Sequence, residues 1–213
     1  MKLNLGCAGK RNKLQADAGI KVISEQLEAA KNNIIAFTDG SSLGNPGPTG
    51  CGAVIQLNGS HSTPIKLAKA IHKNSNNFEG ELQAIEMATD LIRKKMHKKN
   101  ITIFSDCQSA IQSVASAKVQ ENYHQIVSNI HTNMRQIQTS NNVPINLNWV
   151  PGHCNIKQNE EEADHLAKTG ATLAKKINKS KDVTINEAKF HNRALSILIW
   201  NDRGQLTATN TSH

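Results

Sequence analysis

The sequence predicts an α/β domain on a mixed five-stranded sheet, three antiparallel strands followed by two parallel ones, flanked by helices. Two observations predict it. Short apolar runs end at turn residues, as strands do, and longer stretches repeat apolar residues at spacings of three and four, as amphipathic helices do. The two kinds follow one another in the order βββαβααβα, so an antiparallel start is extended by parallel additions.

The elements follow in order. Ile34-Ile35-Ala36-Phe37 is a strand ending at Thr38-Asp39-Gly40. The stretch from Gly44 to Gly52 holds four glycines and two prolines and reads as a turn. Cys51–Leu57 is the second strand, Asn58-Gly59 a hairpin signal, and Thr63–Ala70 the third strand. Leu82, Ile85, Thr89, Ile92 and Met96 give a helix over residues 80–97. Ile101–Phe104 is the fourth strand and ends in Ser105-Asp106. Helices are expected at 108–116 and 121–138, the second with Tyr123, Ile126, Ile130, Met134 and Ile137 on one face. Ile145, Leu147 and Trp149 alternate with Asn146 and Asn148 in a half-wet fifth strand. Ala163, Leu166, Ala167, Gly170, Ala171 and Ala174 form the buried stripe of a last helix.

Three regions result: a basic arm over 1–31 with a helix around Ala16–Ala30, the α/β domain over 32–174, and a basic tail over 175–213 with a helix expected in it, its one apolar stretch being Ala194–Trp200. The 213 residues carry 25 Lys+Arg against 17 Asp+Glu, a net charge of +8. Of this, 1–31 contributes +3 (six basic, three acidic), 32–174 +1 (twelve, eleven) and 175–213 +4 (seven, three). The arms are therefore the expected sequence-blind grip on a polyanion. No run reaches the roughly 18 apolar residues of a membrane span. Cys7, Cys51, Cys107 and Cys154 are too scattered for a zinc site and read as reduced thiols of an intracellular, unsecreted protein.

Two strands deliver an Asp at their C-terminal ends, Asp39 and Asp106, and that edge of an open α/β sheet is where ligands bind. On neighbouring parallel strands about 4.8 Å apart their carboxylates converge and repel unless a cation lies between them. Each is equally readable as a turn or helix-cap residue. Glu81 and Asp164 stand at the borders of two buried helix stripes, and helix N-terminal charge is the alternative reading of both. Two Mg²⁺ ions offset four carboxylates, and an all-oxygen donor set favours Mg²⁺ or Mn²⁺ over Zn²⁺.

Phe37-Thr38-Asp39-Gly40-Ser41-Ser42-Leu43-Gly44-Asn45-Pro46-Gly47-Pro48 resembles the first motif of type 1 ribonuclease H. Gly80-Glu81-Leu82-Gln83-Ala84-Ile85 resembles the second, and Phe104-Ser105-Asp106-Cys107-Gln108-Ser109-Ala110 the third. Trp149-Val150-Pro151-Gly152-His153 with Ala163-Asp164-His165-Leu166-Ala167 resembles the last. The third and last motifs are most similar to the ribonuclease H domains of retrotransposon polyproteins. That similarity implies a covalent or evolutionary link to a reverse transcriptase. The spacing from His153 to Asp164 is one residue longer than the family pattern, the extra residue being expected within Asn155–Asn159. Asn76-Asn77 precede Glu81 by one residue too many.

The resemblance implies a ribonuclease H-like fold and a monomeric endoribonuclease. It would cut the RNA strand of RNA–DNA hybrids with two Mg²⁺ ions (Mn²⁺ substituting), leaving 5′-phosphomonoesters. Asp39, Glu81, Asp106 and Asp164 are then the metal-binding catalytic acids, and His153, on the loop before the last helix, assists proton transfer or product release. Ser42, Asn45, Asn77 and Gln108 match hybrid-contact positions, where amides recognise 2′-hydroxyls. The alternative is a non-catalytic hybrid-binding module derived from a retroelement. Arg93-Lys94-Lys95-Met96-His97-Lys98-Lys99 reads equally as phosphate binding and as charge complementing a helix C-terminus.

Overall fold

The computed structural model describes residues 33–60, 63–95, 98–116, 121–152, 158–177, 196–200 and 206–209, together with residues 17, 21, 23–25, 27 and 28, which are helical. The strands are β1 (Ile34–Ser42), β2 (Gly47–Ser60), β3 (Ile65–Ser75), β4 (Ile101–Ser105), β5 (Ile145–Trp149), β6 (Ser196–Trp200) and β7 (Leu206–Thr209). The helices are α1 (Asn77–Lys95), α2 (Gln108–Ala115), α3 (His124–Asn141) and α4 (Asp164–Ile177). The sheet order is β5-β4-β1-β2-β3-β6-β7, with β1–β2 and β2–β3 antiparallel and β1–β4 and β4–β5 parallel. This is the expected five-stranded mixed sheet, extended at β3 by an antiparallel hairpin.

The extension replaces the helix expected in the tail. Ile197, Leu198, Ile199 and Trp200 favour a pleated strand, and β3 offers an open edge with which Ser196–Trp200 pairs antiparallel.

Alternation along β1 divides the core. Ile34 and Ala36 join Ala84, Ala88 and Ile92 of α1 on one face of the sheet. Ile35 and Phe37 join Val54, Ala68, Phe104, Val150, Ala163 and Leu166 on the other. Both faces are covered, which is why β1 reads as a continuous apolar run. Ile23, only 2% exposed, packs into the second cluster, with Leu27 partly buried against it. The N-terminal helical residues are thus part of the domain's packing. The stripe expected for α4 is buried throughout, and Ile126, Ile130 and Ile137 of α3 are buried as expected. Among the described residues no helix is long and apolar enough to cross a membrane.

The turn expected from Gly44 to Gly52 is shorter. Only Leu43–Pro46 bends, closed by Leu43 N–H donating to Pro48 O at 2.8 Å, with Gly44 at φ +103°. Gly50 and Gly52 lie inside β2, paired with β1 and β3, and must be glycine because the chain of α4 and its entry crosses them backbone to backbone. A Cβ at Gly50 would sit 2.1 Å from Ala171 N, and one at Gly52 2.3 Å from Ala163 O. Of Asn155–Asn159, where the extra residue before Asp164 is expected, Asn155, Ile156 and Lys157 lie outside the described residues. Gln158–Ala163 is a π-helical turn leading into α4, and such a turn absorbs one residue more than an α turn while keeping the helix in phase.

Gly50→Ala is expected to cost about 1–3 kcal/mol by forcing α4 off the sheet, measured by equilibrium denaturation. A chain trimmed to 32–174 is expected to melt several degrees below the full chain, because it loses Ile23 from the core and exposes the β3 edge; an unchanged Tm would refute that packing role.

Candidate active site

The parallel register of β1 and β4 sets the first two acids. Phe37 lies opposite Phe104 and Thr38 opposite Ser105, so Asp39 and Asp106 follow at equivalent positions. The register is held by a stacked Phe37–Phe104 pair, with ring centroids 5.0 Å apart, and by Thr38 Oγ1 donating to Phe104 O at 3.1 Å. Beyond β4, Trp149 Nε1 donates to Asp106 O at 3.0 Å and Val150 N–H to Ser105 O at 3.0 Å. Gly152 lies so close that a Cβ there would meet Asp106 Oδ2 at 2.7 Å.

Glu81 arrives from the opposite face of the sheet. Its helix touches β1 through glycine: a Cβ at Gly40 would lie 2.3 Å from Glu81 N and 2.5 Å from Gly80 C. Helix α1 begins at Asn77, so Glu81 stands in its second turn rather than opening it. The start is fixed by Asn76, whose Oδ1 accepts from Glu79 N–H at 2.9 Å, and by Ser75 Oγ, which donates to Glu79 Oε2. Glu79 is therefore occupied in capping, and Glu81 is the acid delivered to the sheet edge.

One oxygen from each of Asp39, Glu81 and Asp106 lies within 4.8 Å of the others. Asp39 is 7% and Glu81 3% exposed. Burial raises the Asp39 carboxyl well above the usual carboxylate range, with Asp106 and Asp164 adding repulsion; Lys168 and the Gly40 N–H act the other way. Burial likewise raises Glu81, reinforced by Asp39 and Asp106 and opposed by a hydrogen bond from Gly40. Glu81 Oε2 is buried with no hydrogen-bond partner. An orphaned oxygen inside a ring of acids is what a bound cation satisfies. Asp164, in the first turn of α4, stands outside the convergent trio, and its Oδ2 is 2.6 Å from Lys168 Nζ.

Strands β1, β3, β4 and β5 run the same way, so the segments that follow them share one edge with the acids. Asn45 is exposed in the turn after β1, Asn77 in the first turn of α1 and Gln108 in the first turn of α2. Ser42 is partly committed: its hydroxyl donates to Gly44 O and accepts from Thr49 Oγ1 at 2.9 Å, which shapes the turn. His153 lies outside the described residues. Cys51 and Cys107 are free thiols, and burial, its largest cause, pushes Cys51 up to about 12. Cys7 and Cys154 lie outside the described residues.

The basic run at the end of α1 is at the opposite edge, before β4 begins. Arg93 and Lys94 pair with Asp90 at 2.6 and 2.7 Å, so part of this charge is already neutralised within the helix. Sequence reasoning missed Lys168, although its spacing of four from Asp164 is the helical ion-pair signal. It also missed the glycine contacts at Gly40, Gly80 and Gly152, for which a single sequence carries no signal.

The metal-free site carries a pH signature. Asp39 and Glu81 bind protons more tightly in the fold than in the unfolded chain. Their favourable contribution is fully present below the ordinary carboxylate range and is lost as pH rises through the raised folded values. Asp39→Asn is therefore expected to raise the Tm of chelator-treated protein by a few degrees at neutral pH, with the gain shrinking toward about pH 4. A gain that is absent, or independent of pH, would contradict the mutual repulsion.

Comparison with known proteins gives one consistent family. The family model described as RNase H matches residues 31–172. Ribonuclease H of Helicobacter acinonychis is 31% identical over 137 residues, covering 63% of this chain and 90% of that protein. Ribonuclease H of Syntrophus aciditrophicus is 29% identical over 172 residues, covering 76% and 95%. Among solved structures, the N-terminal RNase H domain of a Mycobacterium tuberculosis protein shares the fold with a TM-score of 0.57 and 23% identity, covering 68% of this chain and 98% of that one. LC11-RNase H1, solved in complex with an RNA/DNA hybrid, superposes with a TM-score of 0.54 and 19% identity, covering 67% and 99%.

Proposed function

The chain belongs to the RNase H family, and from that premise we propose that it is a metal-dependent endoribonuclease that hydrolyses the RNA strand of RNA–DNA hybrids, leaving 5′-phosphomonoesters. The observation that carries the reading is the convergence of Asp39, Glu81 and Asp106 within 4.8 Å, together with the buried, unpartnered Glu81 Oε2. A structural role for three such acids is disfavoured, because each destabilises the others without a cation.

The convergent residues fit a hard divalent ion, Mg²⁺ or Mn²⁺, because every donor is a carboxylate oxygen and no thiol belongs to the set; two ions are proposed because they offset four carboxylates. Asp39, Glu81, Asp106 and Asp164 would hold them. When bound, the ions supply the Lewis acidity that activates a water and stabilises the leaving 3′ oxygen. The protein's own part is to hold these oxygens in a shielded edge, where β1 and β4 keep Asp39 and Asp106 in register and the Gly40–Gly80 contact limits movement of Glu81. His153 assists proton transfer or product release. Asn45, Asn77 and Gln108, exposed around the acids, donate to and accept from 2′-hydroxyls, with Ser42 shaping the turn that carries Asn45. The link to a reverse transcriptase and the monomeric, intracellular state belong to the same proposal. They rest on the motif likeness and on the scattered cysteines.

The test is a labelled RNA–DNA hybrid with the wild-type chain, Asp39→Asn and Glu81→Gln, in Mg²⁺, in Mn²⁺ and in EDTA. Cleavage is expected only with metal, and each substitution should reduce it on the order of 10³-fold or more while hybrid binding persists. An Asp39→Asn protein that cuts as well as wild type would overturn the reading. Hybrid binding by wild type with no cleavage at millimolar Mn²⁺ would favour the non-catalytic binding module.

A further inference from the structure

Three of the four acids converge, while the fourth is held by a cation of the chain's own. Lys168 Nζ lies 2.6 Å from Asp164 Oδ2, one turn along α4. The same ammonium group offsets the repulsion that Asp39 receives from Asp106 and Asp164. At the other end of the cluster Glu81 Oε2 is buried with no partner. The acids therefore form two unlike ends. One is a tight trio with an unsatisfied oxygen, and the other is an Asp39–Asp164 side already facing a positive charge.

We propose that Lys168 is a resident counter-cation of the acid cluster, which makes the two divalent-ion positions unequal and must release Asp164 before the second ion is held. This rests on the metal-dependent reading above. A lysine suits the role. Its ammonium is a compact, strongly hydrated point charge on a flexible stem. The pair is also open to solvent, with side-chain exposures of 61% for Lys168 and 33% for Asp164. Such a pair is weak enough to yield to a doubly charged ion. Lys168 is thus a positioning residue: it acts through Asp164 and sets the order and relative affinity of the two ions.

The test is Mn²⁺ titration of the full chain at low salt, by calorimetry and by counting bound Mn²⁺, for wild type, Lys168→Gln and Lys168→Arg. Wild type is expected to bind one ion tightly and a second more weakly. Lys168→Gln should tighten the second roughly two- to fivefold and the first by less. Lys168→Arg, which keeps the charge, should behave as wild type. Metal-free Lys168→Gln should melt below wild type, and saturating Mn²⁺ should close that gap. A second-ion affinity unchanged by Lys168→Gln, or equal tightening at both positions, would overturn this inference alone. A wild-type chain that binds no Mn²⁺ would overturn the metal-dependent reading and this inference with it.

Discussion

Carboxylates gathered at a buried sheet edge repel one another, and the fold of this chain holds Asp39, Glu81 and Asp106 together against that repulsion. The energy comes from elsewhere in the molecule. The two apolar clusters on either face of the sheet draw about half their buried side chains from β1, β2 and β4, the strands whose ends carry or flank the acids. Burial of those side chains stabilises the register, and the register leaves the carboxylates no way to separate. A site that is costly when empty gains the most from a ligand of opposite charge.

The acids reach one point from both faces of the sheet. Asp39 and Asp106 follow Phe37 and Phe104, which belong to the cluster under α4, whereas Glu81 comes from α1 on the other side. Such an approach needs backbones closer than side chains permit. Gly40 against Gly80 allows it for α1, and Gly50 and Gly52 against Gly170, Ala171 and Ala163 allow it for α4. These glycines are therefore as much a part of the site's geometry as the acids, although none carries a reactive group.

The molecule does not end where the family's motifs end. Ile23 fills part of the core beneath α4's neighbours, and the β6–β7 hairpin covers an edge that β3 would otherwise present to solvent. The flanks hold most of the net positive charge, but part of each is packed into the domain, so their role in grip and their role in stability are joined. The acid-bearing domain stays close to neutral, and the positive charge it does place near its acids, Lys168, is a local one.

Sequence alone determined the five-stranded order and the stripe of α4, and it singled out four acids as candidates, three of which the fold brings together. Strand and helix periodicities are local, and the four motifs are contiguous in the chain. Glu79, two residues before Glu81, is taken up instead by the capping contacts of Asn76 and Ser75. What only the tertiary structure decided depends on residues far apart in the chain. Gly50 and Gly52 belong to a strand because they pair with β1 and β3, and they are glycines because α4 crosses them, although a run of glycines and prolines favours a turn. Ser196–Trp200 is a strand because β3 has an open edge 120 residues earlier and more. Asp164 pairs with Lys168 and lies outside the tight trio, though near enough to repel Asp39, because its position depends on how α4 lies across β2. Chemistry was legible wherever it follows from residue type and short spacing. Distance, burial and counter-charge were not, because they exist only once the chain has closed on itself.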